Sequence, residues 1–107
     1  MESEEIQEVA FNIILNSGDA RTLVHEGFKA MRDYRFVEAE DKLEEANESL
    51  IKAHNIQTEL LHNYAGGSKI NMEVIMVHAQ DHLMTTMTLR EVALEMLMMY
   101  KKIEKVN

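Results

Sequence analysis

Apolar and small residues recur three or four positions apart through most of the chain, the spacing of one face of an α-helix. From Ile6 to Tyr34 the stripe reads Ile6, Val9, Ala10, Ile13, Ser17, Ala20, Leu23, Val24, Gly27, Met31 and Tyr34. Within it, Asn16-Ser17-Gly18-Asp19 looks like a stop and restart, because Asn16 can cap a helix and Asp19 suits its first turn. The stripe keeps register across this segment, so the pattern predicts one long helix with a kink or break near Gly18. A second stripe steps through Phe36, Ala39, Leu43, Ala46, Leu50, Ala53, Gln57, Leu60 and Tyr64. Glu38, Glu40, Asp41, Lys42, Glu44, Glu45 and Glu48 lie between those positions and give this helix one wet face. Gly66-Gly67 supply the left-handed conformation a helix C-terminus favours, and Ser68 can cap the next helix.

The third helix, from about Lys69 to Lys102, is different. At ~100° per residue, Val74, Ile75, Asp81, His82, Thr85, Leu89, Val92, Ala93, Met96, Met99, Tyr100 and Ile103 fall within about 60° of His78. Met72, Met76, Leu83, Met87, Leu94, Leu97 and Met98 fall on the far side, and only a narrow strip with Glu73, Glu91, Glu95 and Lys102 suits water. A helix apolar nearly all round must be buried nearly all round, which two partner helices cannot achieve. The inference is self-association through this helix. The connections Arg32–Arg35 and Ala65–Ser68 are short, so sequential helices should be antiparallel neighbours. The chain reads as all-α, a single domain over 1–107 folded as an up-down-up three-helix bundle, with no strand-like alternation, internal repeat or linker.

Composition narrows the function. Lys+Arg number 11 against 19 Asp+Glu, a formal charge of −8, which argues against nucleic acid or an anionic membrane surface as the main partner. Hydrophobic residues make up 46%, too many for a disordered acidic tail. The absence of Cys excludes disulfides, thiolate metal sites and a Cys nucleophile, and the absence of Pro leaves no such interruption to long helices. The acidic start, Met1-Glu2-Ser3-Glu4-Glu5, is unlike a basic signal or transit peptide, and no apolar run approaches the ~20 residues of a membrane span. A soluble protein of the cytoplasm is the expectation.

The candidate chemistry lies in Val77-His78-Ala79-Gln80-Asp81-His82-Leu83-Met84-Thr85. His78 and His82 are i, i+4 and share a helix face, with Asp81 at i+3 on the same side. Burying such groups unpaired costs about 1–3 kcal/mol each, so partners, water, metal or a ligand must satisfy them. Three readings compete. The first is a polar cluster that fixes register in a helical interface. The second is a zinc site, since His-x-x-x-His with a carboxylate suits zinc, although the Glu that follows the first His in His-Glu-x-x-His is missing. The third is nucleophilic attack by a neutral imidazole.

The same string, together with the acidic start, Asn16-Ser17-Gly18-Asp19-Ala20, the segment Ala39-Glu40 to Ala53-His54 and the Gly66-Gly67 loop, resembles the enzyme IIA component of the sugar phosphotransferase system, lactose/cellobiose (chitobiose) type. The resemblance covers nearly the whole chain. It implies a phosphocarrier in which His78 matches the phosphorylated histidine, taking a phosphoryl group from HPr and passing it to a cysteine of the cognate IIB protein. IIB then phosphorylates a sugar (lactose, cellobiose or chitobiose) entering through the membrane IIC channel. It also implies a homotrimer, and in it Asp81 matches a metal-binding carboxylate, one from each subunit around the three-fold axis, suited to a hard cation such as Mg2+. On that reading His82 is the candidate donor to the phosphoryl oxygens and Thr85 a candidate hydroxyl. Gln80, about 200° from His78, could reach the site only across a subunit boundary. Val74, Met76, Leu83 and Met84 would form an apolar docking rim.

Other features have plainer readings. Glu59-Leu60-Leu61-His62 is one half of a di-iron Glu-x-x-His pair without its second half, and His62 suits a helix C-terminus. His25 and His54 stand alone. Ala30-Met31 to Ala46 is similar to one helix pair of a tetratricopeptide repeat, but such arrays need about three repeats of ~34 residues, so a helical adaptor is the alternative function.

Overall fold

The computed structural model describes residues 1–106, and among them the only regular elements are three helices: α1 (Ser3–Arg32), α2 (Phe36–Ala65) and α3 (Val74–Val106). Cross-links between the helices fix the topology. Glu26 of α1 pairs with Lys42 of α2 at 3.0 Å, beside the first turn, and Lys101 near the end of α3 bonds Glu40 near the start of α2. At the opposite end, Ser3 Oγ donates to Glu73 Oε1 at 2.7 Å, just ahead of α3. The helices therefore run up, down and up in a rod measuring 58 × 20 × 19 Å.

The core is the three apolar stripes drawn together. Ile6, Ala10, Ile13, Ala20, Val24 and Met31 meet Ala39, Leu43, Ala46, Leu50 and Ala53, while α3 contributes Met76, Ala79, Leu83, Ala93 and Leu97. The many alanines let helix backbones approach closely, and at Gly27 even a Cβ would sit 3.2 Å from Leu43 Cδ2. Arg90 of α3 spans to α2, its Nε donating to the Leu43 carbonyl at 2.8 Å.

Two expectations are sharpened or corrected. First, α1 is the one long helix that its stripe predicts, and it runs without a break through Asn16–Asp19. Asn16 does not cap a new helix: its Nδ2 donates back to the Asn12 carbonyl at 2.9 Å, and Ser17 is fully buried in register with the stripe. Second, α3 begins at Val74 rather than near Lys69, so Ser68 caps nothing and the second connection spans 66–73. The Lys69 carbonyl is held instead by the Met1 ammonium at 2.7 Å, and the Glu73 carbonyl takes the first amides of α3 from Met76 and Val77.

Both turns close as Schellman motifs, which satisfy the orphan carbonyls at a helix end. After α2, Gly67 has φ 99°, Gly67 N donates to Tyr64 O at 3.1 Å and Ser68 N donates to Asn63 O at 3.0 Å. After α1 the left-handed position is occupied by Tyr34, φ 59°, with Tyr34 N on Met31 O and Arg35 N on Ala30 O. This conformation costs an L-residue roughly 1–2 kcal/mol. Edge-on packing of Tyr34 against Phe36 (5.9 Å) and Tyr100 (6.3 Å) offsets that cost and ties the turn to the end of α3.

In the single chain α3 is only half covered. Met76, Ala79, Leu83, Thr86, Ala93 and Leu97 are buried against α1 and α2. Val74, Val77, Met84, Val92, Met99 and Ile103 stand exposed on the other side, interspersed with His78, Asp81 and Thr88. Met76 and Leu83 therefore belong to the core and cannot serve as a docking rim, whereas Val74 and Met84 are placed to do so.

Candidate functional site

His78 lies in the second turn of α3, exposed, and His82 lies one turn further on, half-buried toward α1. Their ring centroids are 6.1 Å apart with planes inclined at 38°. Together with Asp81, Thr85 and Arg21 of α1 they line an open depression of about 400 Å³. The residues picked out from the sequence are thus brought together, and α1 adds a cation that nothing in the sequence pattern singles out. Arg21 is exposed, and among the described residues its guanidinium forms no ion pair. Its one local signal is that it follows Gly18 by three residues on the same helix face. Gly18 is where α1 meets the site: a Cβ built there would lie 3.8 Å from His82 Nε2.

The remaining polar groups are sorted by their partners. Thr85 Oγ1 donates to the Asp81 carbonyl at 2.7 Å, so its proton is committed to the helix even though the residue lines the depression. Gln80 is on the α2 side, where its Oε1 accepts from Gln57 Nε2 and its Nε2 lies 3.8 Å from Met76 Sδ, away from His78 in the same chain. His82 Nδ1 lies 3.4 Å from the hydroxyl of buried Thr86.

No group of three or more His, Asp or Glu side chains is placed to hold a metal ion within one chain, among the described residues. A self-contained zinc or di-iron centre is therefore not assembled from His78, Asp81 and His82 or from Glu59 and His62. Asp81 is exposed and its carboxylate forms no ion pair among the described residues. His25 stacks obliquely on Phe28 with centroids 6.0 Å apart, His62 sits in the last turn of α2, and His54 lines a separate groove with Asn47, Arg90 and Glu91. No helix, among the described residues, is long and apolar enough to cross a membrane.

Two histidines and an unpaired guanidinium in one open depression suit transient handling of an anion, and comparison with known proteins gives the family. Residues 8–101 match the family described as PTS system, Lactose/Cellobiose specific IIA subunit. The chain belongs to that family. This IIA protein is 46% identical over 101 residues to the lichenan-specific phosphotransferase enzyme IIA component of Bacillus subtilis, covering 94% of this chain and 92% of that one. The crystal structure of PtcA from S. mutans superposes with a TM-score of 0.93 at 64% identity, covering 94% of this chain and 99% of that one. The IIA(Chitobiose) protein of Escherichia coli, solved in solution in complex with HPr, superposes with a TM-score of 0.80 at 34% identity, covering 97% and 99%. The IIA protein is accordingly a phosphotransferase component of all-α, three-helix architecture, and the tetratricopeptide-like adaptor is not favoured.

Proposed function

We propose that this IIA protein carries a phosphoryl group on His78, taken from phosphorylated HPr and delivered to the cysteine of a cognate IIB protein, which serves a IIC channel importing a disaccharide such as lactose, cellobiose or chitobiose. The observation that carries this reading is the exposed His78 imidazole beside His82 and Arg21 in one open depression. In the first transfer a ring nitrogen of His78 attacks phosphorus in line, the N–P bond forms and the bond to the donor breaks. In the second, the IIB thiolate attacks, the S–P bond forms and the imidazole leaves. Such transfers ask the protein for positioning and for stabilised equatorial oxygens rather than for covalent help. His82 and Arg21 supply donors to those oxygens, the guanidinium doing so as a planar fork. An exposed site suits a carrier, because two different proteins must reach the same nitrogen.

The exposed apolar side of α3 supports assembly as a homotrimer, with α3 packed against its copies. Asp81 places an exposed, unpaired carboxylate on that side beside His78, so a metal would be held by Asp81 from each of three subunits. Hard carboxylate oxygens fit Mg2+, one per trimer, which when bound would neutralise three converging charges. The protein is read as cytoplasmic, working with HPr, IIB and, indirectly, IIC. The sugar is chosen elsewhere, since this chain meets only proteins.

The test is labelling by phosphorylated HPr. The wild-type chain gains one acid-labile phosphoryl group by mass, and His78→Ala gains none while its helical content and oligomer mass are unchanged. Labelling that persists in His78→Ala ends the assignment.

A further inference from the structure

Three threonines lie close together along α3, and they use their hydroxyls differently. Thr85 Oγ1 donates to the carbonyl four residues back, Asp81 O, at 2.7 Å, and Thr88 Oγ1 does the same to Met84 O at 3.1 Å. This is the usual resource of a helical threonine. Thr86, which is 0% exposed, does not use it: the partner of its Oγ1 is the His82 ring at Nδ1, 3.4 Å away. A buried hydroxyl without an acceptor is disfavoured, and this one has a ring nitrogen as its neighbour. The opposite edge of the same ring, Nε2, lies near Gly18 of α1, 3.8 Å from where a Cβ would stand, and the ring lines the depression that holds His78.

We propose that Thr86 is a positioning residue for phosphoryl transfer: its hydroxyl donates to His82 Nδ1, so that the His82 proton sits on Nε2, the edge opposite Thr86 on a ring that lines the His78 depression. A neutral imidazole has one donor and one acceptor nitrogen, and fixing one fixes the other. With the proton on Nε2, His82 presents a donor to phosphoryl oxygens on His78. With the proton on Nδ1, it presents a lone pair to an anion, which repels, and the Thr86 hydroxyl loses its acceptor. The inference rests on the reading of His78 as the phosphorylated residue and His82 as its neighbouring donor.

The experiment compares the full-length wild type with Thr86→Val, which keeps the shape and removes the hydroxyl, and Thr86→Ser, which keeps the hydroxyl. Long-range 1H–15N spectra of the neutral His82 ring show the proton on Nε2 in wild type and Thr86→Ser and a mixture of tautomers in Thr86→Val. The rate of phosphoryl transfer from phosphorylated HPr falls about tenfold in Thr86→Val and is restored in Thr86→Ser. A His82 proton on Nδ1 in the wild type overturns the proposal even if Thr86→Val fails to fold, and so does a folded Thr86→Val with wild-type tautomer and rate. A wild-type protein that takes no label from phosphorylated HPr refutes the carrier reading instead, while the spectra still report on the Thr86 contact.

Discussion

Helices α2 and α3 each press one face into the bundle, and they differ in what they turn outward. The outer face of α2 carries Glu40, Asp41, Glu44, Glu45 and Glu48, all exposed. The outer face of α3 carries Val74, Val77, Met84, Val92 and Met99, also exposed, with His78 and Asp81 among them. Charged side chains gain nothing by leaving water, whereas apolar surface gains about 25 cal/mol per Å² on burial. The contrast teaches that the bundle is finished along this charged stretch of α2 and unfinished on its α3 side. The candidate chemistry sits on the unfinished side, where a carrier must meet its partners.

The comparison can be broken first at the inner face of α3. Leu83→Ala removes a fully buried side chain and should cost about 2–5 kcal/mol of stability, read from denaturant midpoints at constant slope. Measured on single chains, an equal loss from trimming exposed Met84 would mean that the two faces are not distinct. Next comes the outer face. Val92→Lys should lower the oligomer mass measured by light scattering while leaving the helical content intact, because in the proposed trimer it would bury three unpaired ammonium groups at the seam between copies. If the resulting single chains still take label from phosphorylated HPr, then the depression lined by Arg21, His78 and His82 suffices without a neighbour. Asp81→Leu should weaken Mg2+ binding, measured by calorimetry, with phosphorylation retained. Equal loss of both would move Asp81 into the transfer chemistry.

The smallest effect belongs to the finished side. Lys42 is held above its ordinary value of 10.5, first by the hydrogen bond from its ammonium to Glu26 and then by the charge of that carboxylate. A raised folded-state value means that the contribution is complete below the unfolded value and is lost as pH rises through the folded one. Stability should therefore decline slightly more steeply in strong alkali for the wild type than for Glu26→Gln, followed by the denaturant midpoint against pH. Identical profiles would show that this exposed pair adds nothing, as is common for surface pairs.

The stripes of all three helices and the unpartnered face of α3 were legible in the sequence, because burial imposes a period of 3.6 and little else competes with it. Three things were not. The run Asn16-Ser17-Gly18-Asp19 has the chemistry of a helix break, yet Asn16 bonds backward, Ser17 stays in the core and Gly18 packs beside His82, a neighbour visible only when α3 lies alongside. The start of α3 is delayed because residues 68–73 are held by contacts some 70 positions away in sequence, Met1 to Lys69 and Ser3 to Glu73. Arg21 is one exposed cation among several, and only the register of α1 against α3 puts it beside His78. Of the site, the residues on one helix could be read in advance, and the one supplied by another helix could not.

Met84 and Met99 stand in the open on the outer side of α3 in a lone chain. Peroxide can reach a thioether there, and the resulting sulfoxide would set a polar group on the face that the proposed trimer buries. In that assembly the copies would shield the sulfur, so oxidative damage would fall on chains that have yet to find companions.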